Sequence, residues 1–361
     1  MTTAAPTLKG SLVGIIFHDV CEEIRLEEVR RILDAKRTAP TFKHPTPEYL
    51  HFENPPIVES LDCITVSGEH LETQVKYYDY GVVSVLMELS FEGDWRSLAN
   101  LAAQWVPSAE LERRAEEIVR SRMSRIAPAM VRPYPQWLGE DYYVFLLTEV
   151  VGQPLGAELL REWGPQIAQI VSGERSELAR VETDDVLEGH LSYYPRDLVV
   201  IGWNAALIYD TPGGAETSVQ ILEYVNSQLL EFRHYDELLT RELASVHTFL
   251  KHRAGLLKRW RMRREASRLN GVTVEVTELV ERSDTAIKFV SDMFSARLYR
   301  LAASKVGVPE YKNLVNEKLK TAEGMYRFLI EEFHQSRGFV LELMVVIILV
   351  IELFYLFRGK G

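Results

Sequence analysis

Apolar residues follow three patterns along the chain, and each predicts a different structure. In the first, they come in short runs broken by turn residues. Ser11 to Phe17 predicts a strand, and Val20 to Ala35 an acidic amphipathic helix. Thr38 to Pro56 is rich in proline and predicts a loop. Strands are expected at Leu61–Ser67, Gln74–Tyr78 and Gly81–Phe91. Helices follow at Asp94–Gln104, with Asp94 placed as its cap, and at Ala109–Ile126. Asp141–Val151 predicts an apolar strand. A helix near Ala157–Gly173 and a strand pair at Leu198–Tyr209 extend this half. The order strand, helix, strands, helices, strand suits an α+β fold of ferredoxin-like sandwich type. Tyr78–Val83 and Arg196–Val200 look alike, as in a duplicated unit.

The second pattern is a seven-residue repeat from Leu222 to Trp260. One register places Leu222, Val225, Leu229, Phe232, Asp236, Leu239, Leu243, Val246, Leu250, Arg253, Leu257 and Trp260 on a seam. This predicts a long helix in coiled-coil packing, with Asp236 and Arg253 fixing register. Thr211-Pro212-Gly213-Gly214 opens it and Asn270-Gly271 is the expected stop. A second helix is expected from Thr277 to Lys305, its buried stripe marked by Leu279, Val280, Ile287, Val290, Phe294, Leu298 and Leu301. Gly307-Val308-Pro309 breaks it, and a third starts near Glu310. The expected arrangement is a long antiparallel helical hairpin.

The third pattern is continuous. Phe339 to Phe357 is apolar except for Glu342 and Glu352. As a helix this stretch rises ~28 Å, close to a bilayer's hydrocarbon thickness. Arg337, Arg358 and Lys360 flank it, and Tyr355 sits near one end. A transmembrane helix is the expectation, because a helix apolar on every side has no face for water. Glu342 and Glu352 lie near the edges, where a carboxylate costs less than the ~3 kcal/mol of the centre. They are candidates for contact with another membrane helix. The domain expectation is residues 1–210, 211–338 and 339–357.

Charge sharpens this picture at one place. Lys plus Arg number 41 against 52 Asp plus Glu, a net charge of −11. Such a chain is a poor nucleic-acid binder as a whole. Lys251, Arg253, Lys258, Arg259, Arg261, Arg263, Arg264 and Arg268 nevertheless face only Glu265 in sequence, a local charge of +7. The helix lengths bring this segment back to the expected membrane surface, so anionic headgroups are its expected partner. A solvated helix tip or an RNA contact involving Trp260 are the alternatives.

Catalytic patterns are sparse. No phosphate loop, dinucleotide fingerprint, HExxH or GxSxG occurs. Cys21 and Cys63 form no CxxC pair and read as free thiols. His18, Asp19, Cys21, Glu22 and Glu23 cluster as a metal set would, but a polar strand-to-helix turn explains them better. His44 and His51 flank prolines. Trp203 and Asn204 read as a turn, and Tyr193, Tyr194 and Arg196 as structural residues beside a conceivable pocket. No cofactor, metal or catalytic residue is assigned. Met1 to Gly10 carries neither a signal-peptide nor a transit-peptide pattern.

Two segments carry a family likeness. VKYYDYGVVSVLMEL (Val75–Leu89) and the run from Gly338 through Glu352 resemble the family named "required for meiotic nuclear division". The resemblance implies an α+β domain, a helical segment and a membrane helix bearing two glutamates, matched by Glu342 and Glu352. Its mitochondrial members support translation and respiratory-chain assembly. The combined expectation is a membrane-anchored, self-associating scaffold without catalytic activity, on the cytoplasmic side of a bacterial inner membrane. A tethered ligand-binding or enzymatic α+β domain is the second expectation, and a membrane-attached RNA-binding protein the third.

Overall fold

β1, Leu8–Ile24, is the spine of the fold. It lies between β4 (Val82–Gly93) and β5 (Met130–Val150), antiparallel to both. The computed structural model describes residues 7–33, 55–251, 258–286 and 293–358. Among them β2 (Ile57–Val66), β3 (Glu69–Tyr77), β6 (His190–Leu191), β7 (Leu198–Ile201) and β8 (Ala205–Tyr209) complete an eight-stranded sheet of order β2-β3-β4-β1-β5-β8-β7-β6. The β5–β8 pair is parallel and the others antiparallel, so the sheet is mixed. This corrects the expected ferredoxin-like sandwich.

Nearly all of β1 is buried, which requires cover on both faces of the sheet. The two faces separate by residue parity. Leu12, Gly14, Ile16 and His18 face α2 (Trp95–Trp105) and α3 (Ala109–Ile126); a Cβ on Gly14 would stand 2.9 Å from Leu111. Val13, Ile15, Phe17 and Asp19 point the other way, toward α6 (Pro212–Lys251). α1 (Leu26–Ile32), α4 (Gly156–Ser172) and α5 (Arg180–Glu188) complete the α/β part. Asp94 caps α2, accepting the Ser97 N–H at 2.8 Å.

β1 runs on where a helix from Val20 is expected, because β5 is 21 residues long and pairs with it as far as Ile24. Pro133 and Pro135 hide that length in the sequence. Pro133 meets Cys21 just past a register shift, where a missing N–H is tolerated. The expected loop from Thr38 to Pro56, with His44 and His51, lies mostly outside the described residues.

Two compact units emerge: Met1–His234 with Thr285–Tyr311, and Tyr235–Asp284 with Lys312–Gly361. α8 (Met293–Val306) belongs to the first. In the second, the later part of α6 packs with α7 (Lys258–Ala286) and α9 (Val308–Arg358) through Val246, Ala266, Leu269, Ala322 and Leu329. α7 passes straight through Asn270-Gly271, so the expected stop is not one; a Cβ at Gly271 would meet only open space. Asp236, expected on the seam, holds α9: Lys318 Nζ is 2.5 Å from its carboxylate and 2.6 Å from Thr240 Oγ1. Arg253, Ile287 and Val290 lie outside the described residues.

The expected membrane helix is also corrected. No helix among the described residues is long and apolar enough to cross a membrane. The apolar stretch with described side chains, Met344–Phe354, rises only ~16 Å, about half a hydrocarbon core. It is the end of a 51-residue helix whose earlier turns are polar, not a separate span. A single-pass anchor and an inner-membrane address therefore have no structural basis here.

Candidate functional site

A helix lying across a sheet normally keeps one polar face in water. The first half of α6 does not: between Ser218 and His234 nearly every residue is buried, including Glu223, Asn226, Ser227, Gln228, Glu231 and His234. Glu223, Ser227, Glu231 and His234 recur at helical spacing, so they share one face. That face lies on the part of the sheet carrying Asp19, Lys76 and Ser84.

Most of the contacts join segments far apart in sequence. The Glu223 carboxylate receives Lys76 Nζ at 2.5 Å and Ser84 Oγ at 2.6 Å. His234 Nδ1 lies 2.6 Å from Asp19 Oδ2, with the Tyr134 ring stacked on the imidazole at 4.5 Å. Tyr80 and Ser227 share a hydrogen bond of 2.8 Å. Tyr299 on α8 donates to Gln228, whose amide N–H donates to the Tyr224 hydroxyl at 3.1 Å. Arg233 pairs with Glu140 on β5.

Gly81 lets the β3–β4 turn reach this seam. Its φ is +92°, and a Cβ there would overlap the Cys21 carbonyl oxygen at 1.8 Å. The close approach is secured by Val20 N–H donating to Gly81 O at 3.1 Å and Ile24 N–H donating to Asp79 O at 2.9 Å. Only glycine allows both the backbone angle and the contact.

The seam is buried, and its electrostatics follow from that. Burial pushes the Glu231 carboxyl far above the usual range, and the nearby charges of Asp19 and Asp79 add to the effect. Oε1 of Glu231 has no hydrogen-bond partner. Burial also raises Asp19, against the opposing pull of His234. The Cys21 thiol is pushed up to about 12, chiefly by burial, and is inert as a nucleophile at neutral pH. The polar contacts of the seam tie α6 to the sheet.

The residues singled out in the sequence scatter. His18 and Asp19 point to opposite faces of the sheet. His18 packs edge-on to Trp137 at 6.0 Å, and its Nδ1 has no partner. Burial lowers it to about 4; Glu116 opposes the shift and Arg120 adds to it. Cys21 donates to Glu23 O, Glu22 pairs with Arg132, and Glu23 is exposed. Among the described residues no three His, Cys, Asp or Glu side chains converge to hold a metal. The Asp197 carboxylate accepts the N–H groups of Tyr193 (2.7 Å) and Tyr194 (2.8 Å), and Arg196 donates to Gln153. Trp203 is exposed, and Asn204 O accepts the Tyr143 N–H at 3.0 Å.

Of the basic segment, Arg264 is exposed and Arg268 pairs with Glu242 (2.7 Å) and Glu265 (3.4 Å). Arg253, and the side chains of Lys251, Lys258, Arg259, Arg261 and Arg263, lie outside the description, as does the side chain of Glu342. Glu352 is exposed. Sequence reasoning missed Lys76, Ser84, Glu223, Glu231 and His234. The available signal was the 4-4-3 spacing of Glu223, Ser227, Glu231 and His234 along α6.

Comparison with known proteins corrects the family resemblance. Val75–Leu89 covers the end of β3, the turn and most of β4. The match found is to the family described as "Uncharacterized protein MJ0711, N-terminal domain", over residues 9–216. "Uncharacterized protein MJ0711" of Methanocaldococcus jannaschii is 17% identical over 187 residues, which cover 52% of this chain and 57% of the relative. The chain thus aligns with little more than half of that relative's length. No solved structure matches. The matched region takes in the sheet and ends as α6 begins, so Asp19, Lys76 and Ser84 fall inside it and Glu223, Glu231 and His234 beyond it. With more than half of its residues matched, the chain belongs to the MJ0711 N-terminal domain family.

Proposed function

We propose that this protein is a non-catalytic interaction protein that associates with copies of itself through the projecting end of α9. The observation that carries this reading is the exposure of every side chain from Met344 to Phe354, ten of them large and apolar. Consecutive residues point ~100° apart, so this segment is apolar all the way round.

The register of the second unit accounts for the exposure. Lys318 is level with Asp236, and α6 and α9 run in the same direction. Lys251, where α6 ends, is then level with about residue 333 of α9. Beyond that level α9 continues for ~25 residues, or ~37 Å, with no neighbour from α6. A second copy supplies a cover of the same length and the same apolar character, and a symmetric assembly lays the segments along one another.

A binding role fits better than catalysis because the ionisable groups that converge in the seam are closed to substrate. The net charge of −11 makes nucleic acid an unfavourable partner. The +7 segment, Lys251 to Arg268, is a second contact on this reading, for anionic surfaces. Replacing Arg259, Arg261, Arg263 and Arg264 with Glu abolishes binding to anionic vesicles on this reading; unchanged binding rejects that contact.

Chemical crosslinking of the full chain, and of a chain ending at Arg337, tests the main reading. Multimers are expected from the first and single chains from the second. Equal crosslinking of both contradicts it.

A further inference from the structure

The buried seam holds more acids than bases. On α6, Glu223 faces Lys76 of β3 and Glu231 lies two turns further along. On β1, Asp19 faces His234. Arg233, two residues beyond Glu231 on α6, is engaged by Glu140 of β5. Three carboxyls, Asp19, Glu223 and Glu231, are thus shut in with two basic partners, and both partners are taken. If the His234 ring were neutral, the surplus of acid would only grow. The β3–β4 turn adds a further carboxyl, Asp79, with Tyr78 and Tyr80, and β1 adds the Cys21 thiol. None of these supplies positive charge.

Glu231 is the acid left over. It is 6% exposed, and Oε1 makes no hydrogen bond. An ionised carboxylate with one oxygen buried and unbonded, and no cation against it, is costly in so buried a place. A neutral carboxyl removes that cost by keeping one proton.

We propose that Glu231 is a proton-binding site that seats α6 on the sheet while it is neutral and loosens that seat when it ionises. The balance is simple. Opening the seam lets water reach the side chain, and the O–H bond breaks to give a solvated carboxylate and one proton released to bulk water. Reseating α6 takes one proton back. Alkali therefore favours the open form. Burial holding the proton well above the ordinary glutamate range agrees with this direction. The device is separate from the self-association reading, since it concerns only the first compact unit.

Hydrogen exchange of the amides around residues 219–234, read by mass spectrometry across neutral to alkaline pH, tests it. After correction for the pH dependence of chemical exchange, the opening equilibrium of the wild type is expected to rise about tenfold per pH unit, the slope of one released proton. Glu231→Gln keeps the size and removes the titration, so its slope over the same interval is near zero. Glu231→Met serves the same purpose without a polar amide. Infrared spectroscopy is expected to show the C=O band of a protonated carboxyl in the wild type that is lost in both variants. A wild type with no slope, or variants that keep it, overturns the proposal. So does an opening equilibrium that falls as Na⁺ or K⁺ is raised at constant ionic strength, because that result assigns the site to a metal cation instead.

Discussion

Lys76 and Glu223 are 147 residues apart in sequence and 2.5 Å apart in the fold, their charges almost wholly withdrawn from water. The pair spans two elements, an inner strand of the sheet and the helix laid across it. A buried ion pair contributes little net stability, but breaking it strands a charge. Lys76→Met is expected to cost ~3–5 kcal/mol for that reason. Adding Glu223→Leu should recover most of the loss, since a neutral pair needs no solvation. Urea denaturation of the two variants checks this; a double variant as unstable as the single one contradicts it.

Gly81 sets the β3–β4 turn against β1. Gly81→Ala brings a Cβ into the Cys21 carbonyl at a φ of +92°, so both strain and overlap act together. The expected loss is ~4 kcal/mol or more. Thermal unfolding reads it directly. A variant of wild-type stability would show that the turn does not need to approach the strand.

His18 gives an acid-side prediction on the other face of the sheet. Its folded pKa of about 4 lies below the ordinary 6.5, so the unfolded chain binds its proton first as pH falls. The contribution is complete above pH ~6.5, declines as pH falls toward 4, and levels off below that. Over the interval the loss amounts to ~3 kcal/mol. His18→Gln should flatten this part of the stability profile. An unchanged profile would mean that the ring is protonated in the folded state.

Cys21 is buried with its thiol pushed up to about 12, and Cys63 is exposed. An aromatic disulfide reagent at neutral pH should therefore titrate one thiol quickly and the second only on unfolding. Two equally fast thiols would contradict the burial of Cys21 in the core.

The sequence disclosed what local periodicity controls. Asp94 as a helix cap and the strand pair Leu198–Tyr209 follow from spacing within a few residues, whereas Lys318, the partner of Asp236, is 82 residues away from it and did not show. What depends on pairing across long loops did not show. The length of β5 was masked by Pro133 and Pro135, and the sheet order rests on partners more than a hundred residues apart. The seam was hidden for a related reason. Glu223 and Glu231 look like solvated helix residues until Lys76, Ser84 and Asp19 are placed beneath them. Conversely, the run from Phe339 to Phe357 looked complete as a membrane span, whereas the structure gives the end of one 51-residue helix, and no helix among the described residues is long and apolar enough to cross a membrane.

Sedimentation equilibrium of the full chain tests the self-association reading most directly, with Ile347→Glu/Ile351→Glu as the comparison. These two side chains are 49% and 51% exposed on one side of α9. The expected result is a mass that is an integer multiple of 41.4 kDa for the wild type. The double variant should weaken association at least tenfold, the cost of ~1.4 kcal/mol or more for charging an apolar contact. A wild type that sediments as a single chain, or a variant whose association is unchanged, would contradict the account.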